Sequence, residues 1–308
     1  MPKDPKPAAE ANTSPATLTD PRERFPKPPF PKQQQSPPGS SRDLKPLADY
    51  GHNTYTGHGR LQDRVALITG ADSGIGRAVA LCYAKEGADI LFTHLKEEKE
   101  DADETVRLVE SVGRRAIAVP GDIRKREFCH KLVEQTFSKL GRLDILVNNA
   151  AYQRTYEKLE DIPEEEFDAT FRTNVYGTFF LTQAALPRMQ PGGAIINTVS
   201  IESFTPEPSL APYAATKAAL ASLTKSIAKL AMEQRGVRVN GVAPGPVWTP
   251  LIPSTMEPDH VKIFGQNTTF KRPAMPVEQA VIFVFLASDD ASYVNGEIYG
   301  ATGGRMPL

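Results

Sequence analysis

Thr69-Gly70-Ala71-Asp72-Ser73-Gly74-Ile75-Gly76 follows the apolar run Val65 to Ile68 and opens a segment in which Ile75, Val79 and Cys82 recur at helical spacing. The order is strand, tight turn, helix. Glycine lets the backbone take a positive φ and lets a ligand approach the main chain, while the unpaired N–H groups and positive dipole end of the following helix favour an anion. A dinucleotide diphosphate suits such a turn. The spacing, Thr-Gly-x-x-x-Gly-x-Gly, is not the G-x-G-x-x-G of the most familiar fingerprint, and taken alone it also fits a packed corner between strand and helix. The remainder of the chain decides between the two.

Downstream of the turn the pattern alternates short apolar strands with amphipathic helices. The first helix runs to Glu86 and is closed by Gly87; Ile90 to Thr93 is a strand, Glu97 to Val112 a charged helix ended by Gly113, and Ile117 to Val119 the third strand. A helix from Lys125 to Leu140, closed by Gly141, leads to the fourth strand, Asp144 to Val147, and to Asn148-Asn149-Ala150-Ala151. Pro163 starts a helix with Glu164, Glu165 and Glu166 in its first turn, and a long helix containing Asn174 continues toward Met189. Strand five (Ala194 to Val199), a helix around Tyr213 to Gln234, strand six (Val237 to Val242), the break at Pro244-Gly245-Pro246, a helix near Val277 to Ala287 and a last strand around Glu297 to Tyr299 complete the order. Such repeats imply parallel strands, right-handed crossovers and helices on both faces: an α/β, doubly wound parallel sheet forming one domain over residues 61–308. Its ligand crevice is expected at the C-terminal strand edges, where the Gly-rich turn stands.

Residues 1–60 are different. They hold 12 of the 27 prolines, include Phe25-Pro26-Lys27-Pro28-Pro29-Phe30-Pro31 and show no hydrophobic period. This composition describes an extended, non-globular N-terminal arm without a core of its own. It is read either as a disordered tail or as an arm that docks through Phe25, Phe30, Tyr50 and Tyr55 on the folded domain or a neighbouring subunit. Because no core strand lies there, deletion of residues 1–55 is expected to leave the fold intact.

A net charge of −1 and a pI near 6.5 supply no global field for nucleic acid or an anionic membrane, and no apolar run is long enough to span a bilayer. The expected protein is cytoplasmic: the N-terminus lacks the apolar core of a signal peptide, and Cys82 and Cys129, both within predicted helices, suggest no disulfide framework. The histidines are scattered without ligand spacing, so no metal site is expected.

Tyr213 and Lys217 stand four residues apart on one predicted helix, so their side chains share a face. A lysine ammonium near a phenol favours the phenolate and brings its titration toward working pH, which makes Tyr213 a candidate general acid/base. Singly, this pair, Ser200 at the end of strand five and Asn174 in its helix all have ordinary structural readings. Jointly, Thr69 to Gly76, Asn148-Asn149-Ala150, Asn174, Ser200 thirteen residues before Tyr213, Tyr213-Ala214-Ala215-Thr216-Lys217 and Pro244-Gly245 fall in an order that resembles the short-chain dehydrogenase/reductase family over about Leu61 to Gly304. The resemblance implies a Rossmann-like fold and a catalytic set of Asn174, Ser200, Tyr213 and Lys217. In that set Tyr213 exchanges the proton, Ser200 hydrogen-bonds the substrate oxygen, Lys217 tunes Tyr213 and binds the nicotinamide ribose, and Asn174 supports a proton relay. It further implies cofactor contacts at Gly70, Asp72, Ser73, Gly74, Ile75 and Gly76, an adenine wall of Asp122 and Ile123, a floor of Asn149 and Ala150, and contacts from Pro244, Gly245, Val247 and Thr249. Gln153 falls on the wall facing substrate.

Two positions depart from the family pattern: Ala151 replaces the usual glycine and Thr216 a common serine. Ala151, Tyr152-Gln153 and the proline-rich extension resemble the glucose/ribitol dehydrogenase-like, general stress and aldehyde reductase proteins, which points to aldehydes, ketones, sugars or polyols. At the end of strand two His94 stands where an acid would hold the ribose diol of NAD, with Lys96 close by, which favours NADP; Ser73, Glu97 and Glu98 argue the other way, so NADP and NAD both stay open with NADP ahead. The expected activity is hydride transfer between a nicotinamide and a carbonyl or alcohol carbon of a small molecule. Its rivals are a noncatalytic dinucleotide-binding sensor or scaffold, and an isomerase or dehydratase on the same scaffold. A homotetramer is expected, from the resemblance and from the continuous apolar run Val281 to Leu286.

Overall fold

Val65–Thr69 (β1), Asp89–His94 (β2), Ile145–Asn148 (β4), Ala194–Thr198 (β5) and Arg238–Pro244 (β6) are buried along their whole length, while Ala116–Pro120 (β3) and Ile298–Ala301 (β7) are partly exposed. Near-continuous apolar runs are what parallel strands covered on both faces require, and the two partly exposed strands are the edges. The structure, a computed structural model describing residues 18–305, joins them in one parallel sheet of order β3-β2-β1-β4-β5-β6-β7. β1 pairs with β2 on one side, Ile68 opposite Phe92, and with β4 on the other, Ile68 opposite Val147. The order therefore reverses between β1 and β4, and the switch-point crevice opens at their C-terminal ends. The first 17 residues of the arm and the last three of the chain lie outside the described residues.

Helices Gly74–Lys85 (α1), Lys99–Glu110 (α2), Arg126–Leu140 (α3), Glu164–Phe171 (α4), Gly177–Ala185 (α5), Ala211–Arg235 (α6), Leu251–Thr255 (α7), Pro258–Lys262 (α8) and Pro276–Ala287 (α9) cover the sheet. Alternate residues of β1 divide the core: Ala66 and Ile68 face α1, α2 and α9, whereas Val65 and Leu67 join the apolar sides of α3, α5 and α6. Two features differ from the periodicity reading. The long helix around Asn174 is interrupted by a π turn at Arg172–Tyr176, and the stretch after β6 forms the short helices α7 and α8. The run Val281 to Leu286 also has an internal explanation, since Phe283, Val284 and Leu286 are fully buried against the sheet and α1, and Val281 alone of the run stands out at 41% exposure. Ile282 and Phe285 of the same run are only partly buried. No helix among the described residues is long and apolar enough to cross a membrane.

The arm has no strand or α-helix of its own between residue 18 and β1, yet it belongs to the core. Phe30 (4% exposed) packs its ring 4.4 Å from that of Trp248, Leu44 is buried, and the Trp248 Nε1–H donates to the Pro46 carbonyl at 2.8 Å. Further along, Lys85 Nζ donates to the carbonyls of Gly51, His52 and Tyr55, and Glu86, fully buried, accepts from Arg60, Tyr55 and the His58 and Arg60 amides. Although burial opposes it, these hydrogen bonds hold the Glu86 carboxyl at about 2. The docking surface is this chain's own domain. That corrects the expectation that residues 1–55 are dispensable, because removing them would open the apolar core beside Trp248. Phe30→Ala alone is expected to lower stability by about 3–5 kcal/mol, the usual cost of truncating a buried aromatic, measured as the change in free energy of denaturant unfolding.

Candidate active site

The β1–α1 turn is built from backbone because nothing larger fits. A Cβ on Gly76 would lie 2.0 Å from the Gly70 carbonyl oxygen, and one on Gly70 would lie 3.0 Å from Ala150 Cα. Gly70 and Gly74 have φ of +63° and +53°, a region side chains seldom occupy. The first amides of α1 have no intrahelical acceptor, and Ser73 at its N-cap makes no side-chain hydrogen bond to them. The turn thus presents bare N–H groups and a helix dipole to whatever lies above it, which fits the diphosphate of a dinucleotide. Across the switch point, Thr69 Oγ1 accepts from the amides of Asn149 (2.9 Å) and Ala150 (3.0 Å), and Asn149 Nδ2 donates to the carbonyls of Thr69 and Gly70.

One cavity of about 590 Å³ runs over this turn from the end of β2 to the start of α6. It is lined by most of the residues singled out in the sequence: Gly70, Asp72, Ser73, Gly74, Ile75, His94, Asp122, Ile123, Asn149, Ala150, Gln153, Ser200, Tyr213, Lys217, Pro244, Gly245, Val247 and Thr249. Three others lie elsewhere. Gly76 sits behind the turn against Gly70 and the Asn149 amide, Asn174 is fully buried behind α6, and Lys96 is exposed outside the cavity. The polar groups at the end of β2 are His94, whose Nδ1 pairs with the Leu95 carbonyl at 2.6 Å, together with Asp72 and Glu98. Burial, reinforced by the neighbouring Asp72, pushes the Glu98 carboxyl up to about 8, and burial raises Asp72 as well. Beneath them Arg77 Nε donates to the Asp72 carbonyl, while its Nη2 donates to Asp101.

At the opposite end, Ser200 Oγ accepts from the Glu202 amide at 3.1 Å, and Tyr213 and Lys217 enter from α6, with Lys217 Nζ 5.4 Å from the centre of the Tyr213 ring. Nζ donates to the Thr198 carbonyl at 2.7 Å. Asn174 reaches the group from behind. Its Oδ1 accepts from the Tyr152 amide, and its Nδ2 donates to the Tyr152 carbonyl and to Thr216 Oγ1, whose own hydroxyl donates to the Tyr213 carbonyl. The π turn sets Asn174 in this register; such insertions recur at functional sites. In the protein alone, burial acts against the tuning expected of this pair. Burial raises the Tyr213 phenol to about 12, with the Ser200 hydroxyl opposing, and burial lowers the Lys217 ammonium to about 7. Desolvation penalises the charged form of both groups.

Several lining residues were not foreseen. Glu202 stands two residues beyond Ser200, with one carboxylate oxygen accepting from the Glu207 amide and the other 4.0 Å from Arg305. Pro37 and Pro38 of the arm also line the cavity, and nothing in their proline-rich surroundings distinguishes them.

A parallel sheet whose switch point carries a backbone cradle for an anion is the architecture of a dinucleotide-binding protein. Residues 70–305 match the family model described as enoyl-(acyl carrier protein) reductase. The chain is 47% identical over 278 residues to general stress protein 39 of Bacillus subtilis, covering 90% of this chain and 96% of that protein. It is 40% identical over 281 residues to NADPH-dependent aldehyde reductase 1, chloroplastic, of Arabidopsis thaliana, covering 89% and 97%. Among solved structures, a short chain dehydrogenase from Burkholderia cenocepacia in complex with NADP superposes with a TM-score of 0.75 at 33% identity, covering 80% of this chain and 99% of that one. The protein belongs to the short-chain dehydrogenase/reductase family of oxidoreductases.

Gly76→Ala is expected to weaken dinucleotide binding by at least about tenfold and to lower the thermal midpoint, as followed by fluorescence titration and calorimetry. Lys217 provides a test in pH. The unfolded chain keeps its lysine proton up to about 10.5, whereas the folded chain gives it up near pH 7, so between these values the unfolded state binds more protons and stability rises with pH. Lys217→Met removes that contribution. The stability of the parent relative to the variant is therefore expected to increase from about pH 7 to about pH 10, read from thermal midpoints of the two proteins at each pH.

Proposed function

We propose that the protein is an NADP(H)-dependent dehydrogenase/reductase acting on the carbonyl or alcohol carbon of a small aldehyde, ketone, sugar or polyol. The observation that carries this reading is the convergence of Ser200, Tyr213 and Lys217 on the far end of the cavity whose near end is the Gly70–Gly74 cradle. The dinucleotide, when bound, supplies or accepts the hydride. Tyr213, on this reading, gives or takes the proton at the substrate oxygen, and Ser200 Oγ orients that oxygen. Lys217 Nζ, held on the Thr198 carbonyl, offers its remaining hydrogen-bonding capacity to the ribose and to the Tyr213 hydroxyl. Asn174 is a positioning residue that ties the first turn of α6 to the Tyr152 backbone.

NADP is supported by the cofactor of the Burkholderia enzyme and by the name of the Arabidopsis reductase. The acids at the end of β2 do not oppose it. Burial and the neighbouring Asp72 raise the Glu98 carboxyl well above the usual carboxylate range, which weakens its repulsion of a phosphate. For the substrate, the wall beside Ser200 carries Gln153, whose Nε2 donates to Thr255 Oγ1 of α7, and Glu202. These polar groups suit a hydroxylated molecule. Free, buried Cys82 and Cys129 are in keeping with a reducing, cytoplasmic setting. A homotetramer is supported by Phe167, Tyr176 and Phe179, 47%, 46% and 43% exposed along the α4–α5 segment, an apolar strip awaiting cover; sedimentation as a monomer at micromolar concentration would refute it.

Tyr213→Phe is expected to lose roughly a hundredfold to ten-thousandfold in turnover while still binding dinucleotide. Ser200→Ala loses turnover with little change in dinucleotide affinity, and Lys217→Met loses both. Gln153→Ala raises KM for the best substrate and leaves dinucleotide affinity unchanged. The experiment is a screen of aldehydes, ketones, sugars and polyols with each dinucleotide, followed by affinity and hydride-transfer measurements on these variants. Full activity in Tyr213→Phe overturns the mechanism. A parent that binds dinucleotide but turns over no substrate makes the protein a sensor.

A further inference from the structure

Between Phe30 and Leu44, both fixed in the core, the arm passes along the cavity, and Pro37 and Pro38 form part of the wall of the same cavity that Asp72, Ser73 and Gly74 line. The segment is tethered on both sides. On the α7 side the Gln35 amide donates to the Pro253 carbonyl at 2.9 Å and Ser254 Oγ donates to the Pro38 carbonyl at 3.3 Å. On the α2 side the Ser41 amide donates to Asp101 Oδ2 at 2.9 Å, and Asp101 is held by Arg77, which also grips the Asp72 carbonyl of the Gly-rich turn. Gln35 Oε1 accepts from the Ser40 amide at 2.5 Å and closes the segment on itself. Gly39 presses so closely on α7's approach that a Cβ there would lie 2.8 Å from the Pro250 carbonyl oxygen, at a φ of +87°.

We infer that Gln35–Ser41 is a strap that closes over the bound dinucleotide, so that cofactor leaves only when the strap lifts between its two buried posts. This rests on the dinucleotide reading of the cavity and extends it to an element outside the sheet and its crossovers. The chemistry of the segment suits the task. Proline has no N–H, so Pro37 and Pro38 bring no donor to the cavity and exclude water without competing for the cofactor's acceptor atoms. Their fixed φ also lowers the entropy lost when the strap seats. The hydrogen bonds that seat it are few, one at each end and one at Pro38, whereas the posts are set in the core, so the strap lifts without unfolding the arm.

The test is the rate at which NADPH, or NADH if the parent binds it more tightly, leaves the full-length protein, followed by stopped-flow fluorescence. Pro37→Gly/Pro38→Gly keeps both posts and loosens the strap; Gly39→Val breaks its seat on Pro250. Both variants are expected to release dinucleotide about tenfold faster than the parent or more, with the thermal midpoint of the dinucleotide-free Pro37→Gly/Pro38→Gly protein lowered only modestly, by the chain entropy that two glycines add. In the parent, hydrogen exchange of the Gly39, Ser40 and Ser41 amides is expected to slow when dinucleotide binds. Release at the parent's rate in the Pro37→Gly/Pro38→Gly protein, or exchange at these amides indifferent to dinucleotide, overturns the strap while leaving the oxidoreductase reading in place. A parent that binds neither dinucleotide overturns that reading itself. Should Gly39→Val fail to fold, the proline variant and the exchange measurement decide the matter.

Discussion

The interlock of β1 with the end of β4 is the constraint on which the site depends. Thr69 Oγ1 accepts two amides from Asn149 and Ala150, Asn149 returns two hydrogen bonds to the carbonyls of Thr69 and Gly70, and Gly76 fits against Gly70 with no room for a Cβ. Where a doubly wound sheet reverses its strand order, the connections leave in opposite directions and a crevice opens beyond the β1–β4 ladder. These bonds clamp the two strand ends. The same clamp leaves the amides at the start of α1 pointing into open space, so the packing requirement of the fold and the binding capacity of the turn have one cause.

Burial, more than pairing of charges, sets the state of the groups at the far end. Lys217 is 1% exposed and spends a proton donor on the Thr198 carbonyl, and the Tyr213 phenol and Lys217 ammonium are displaced in opposite directions, to about 12 and about 7. Both displacements favour the uncharged partner. A phenolate–ammonium pair becomes favourable here only when further hydrogen-bonding groups enter the cavity to solvate it.

Much of this was legible in the sequence because it follows from local rules. Buried parallel strands read as apolar runs, the Gly-rich turn follows its strand directly, and Tyr213 and Lys217 share a helix face by spacing alone. What remained illegible depends on contacts distant along the chain. The composition of residues 1–60 describes a segment unable to form its own core, and it is silent on whether another core receives Phe30 and Leu44. Lys96 was chosen for its closeness to His94 in sequence, but the turn after β2 carries it outside the cavity and brings Glu98 in. The pKa values of Tyr213 and Lys217 depend on solvent access, which spacing does not encode. The run Val281 to Leu286 was ambiguous for a related reason, since an apolar run on a helix is the same string whether sister elements or a second chain cover it, and here the core takes Phe283, Val284 and Leu286.

The seating of the arm has a consequence for how the polypeptide reaches this state. Phe30 and Pro46 leave the ribosome early, but their receptor Trp248 is made some two hundred residues later, and Val277, whose amide donates to the Asp49 carbonyl, later still. For most of synthesis the arm has no place to go. Its proline content then serves a second purpose, because a chain that cannot propagate a helix or donate to a strand ladder is a poor template for misfolding while it waits. Seating the arm is thus a closure between segments made some two hundred residues apart, and a nascent chain stalled before residue 248 would leave the apolar face that receives Phe30 open to water.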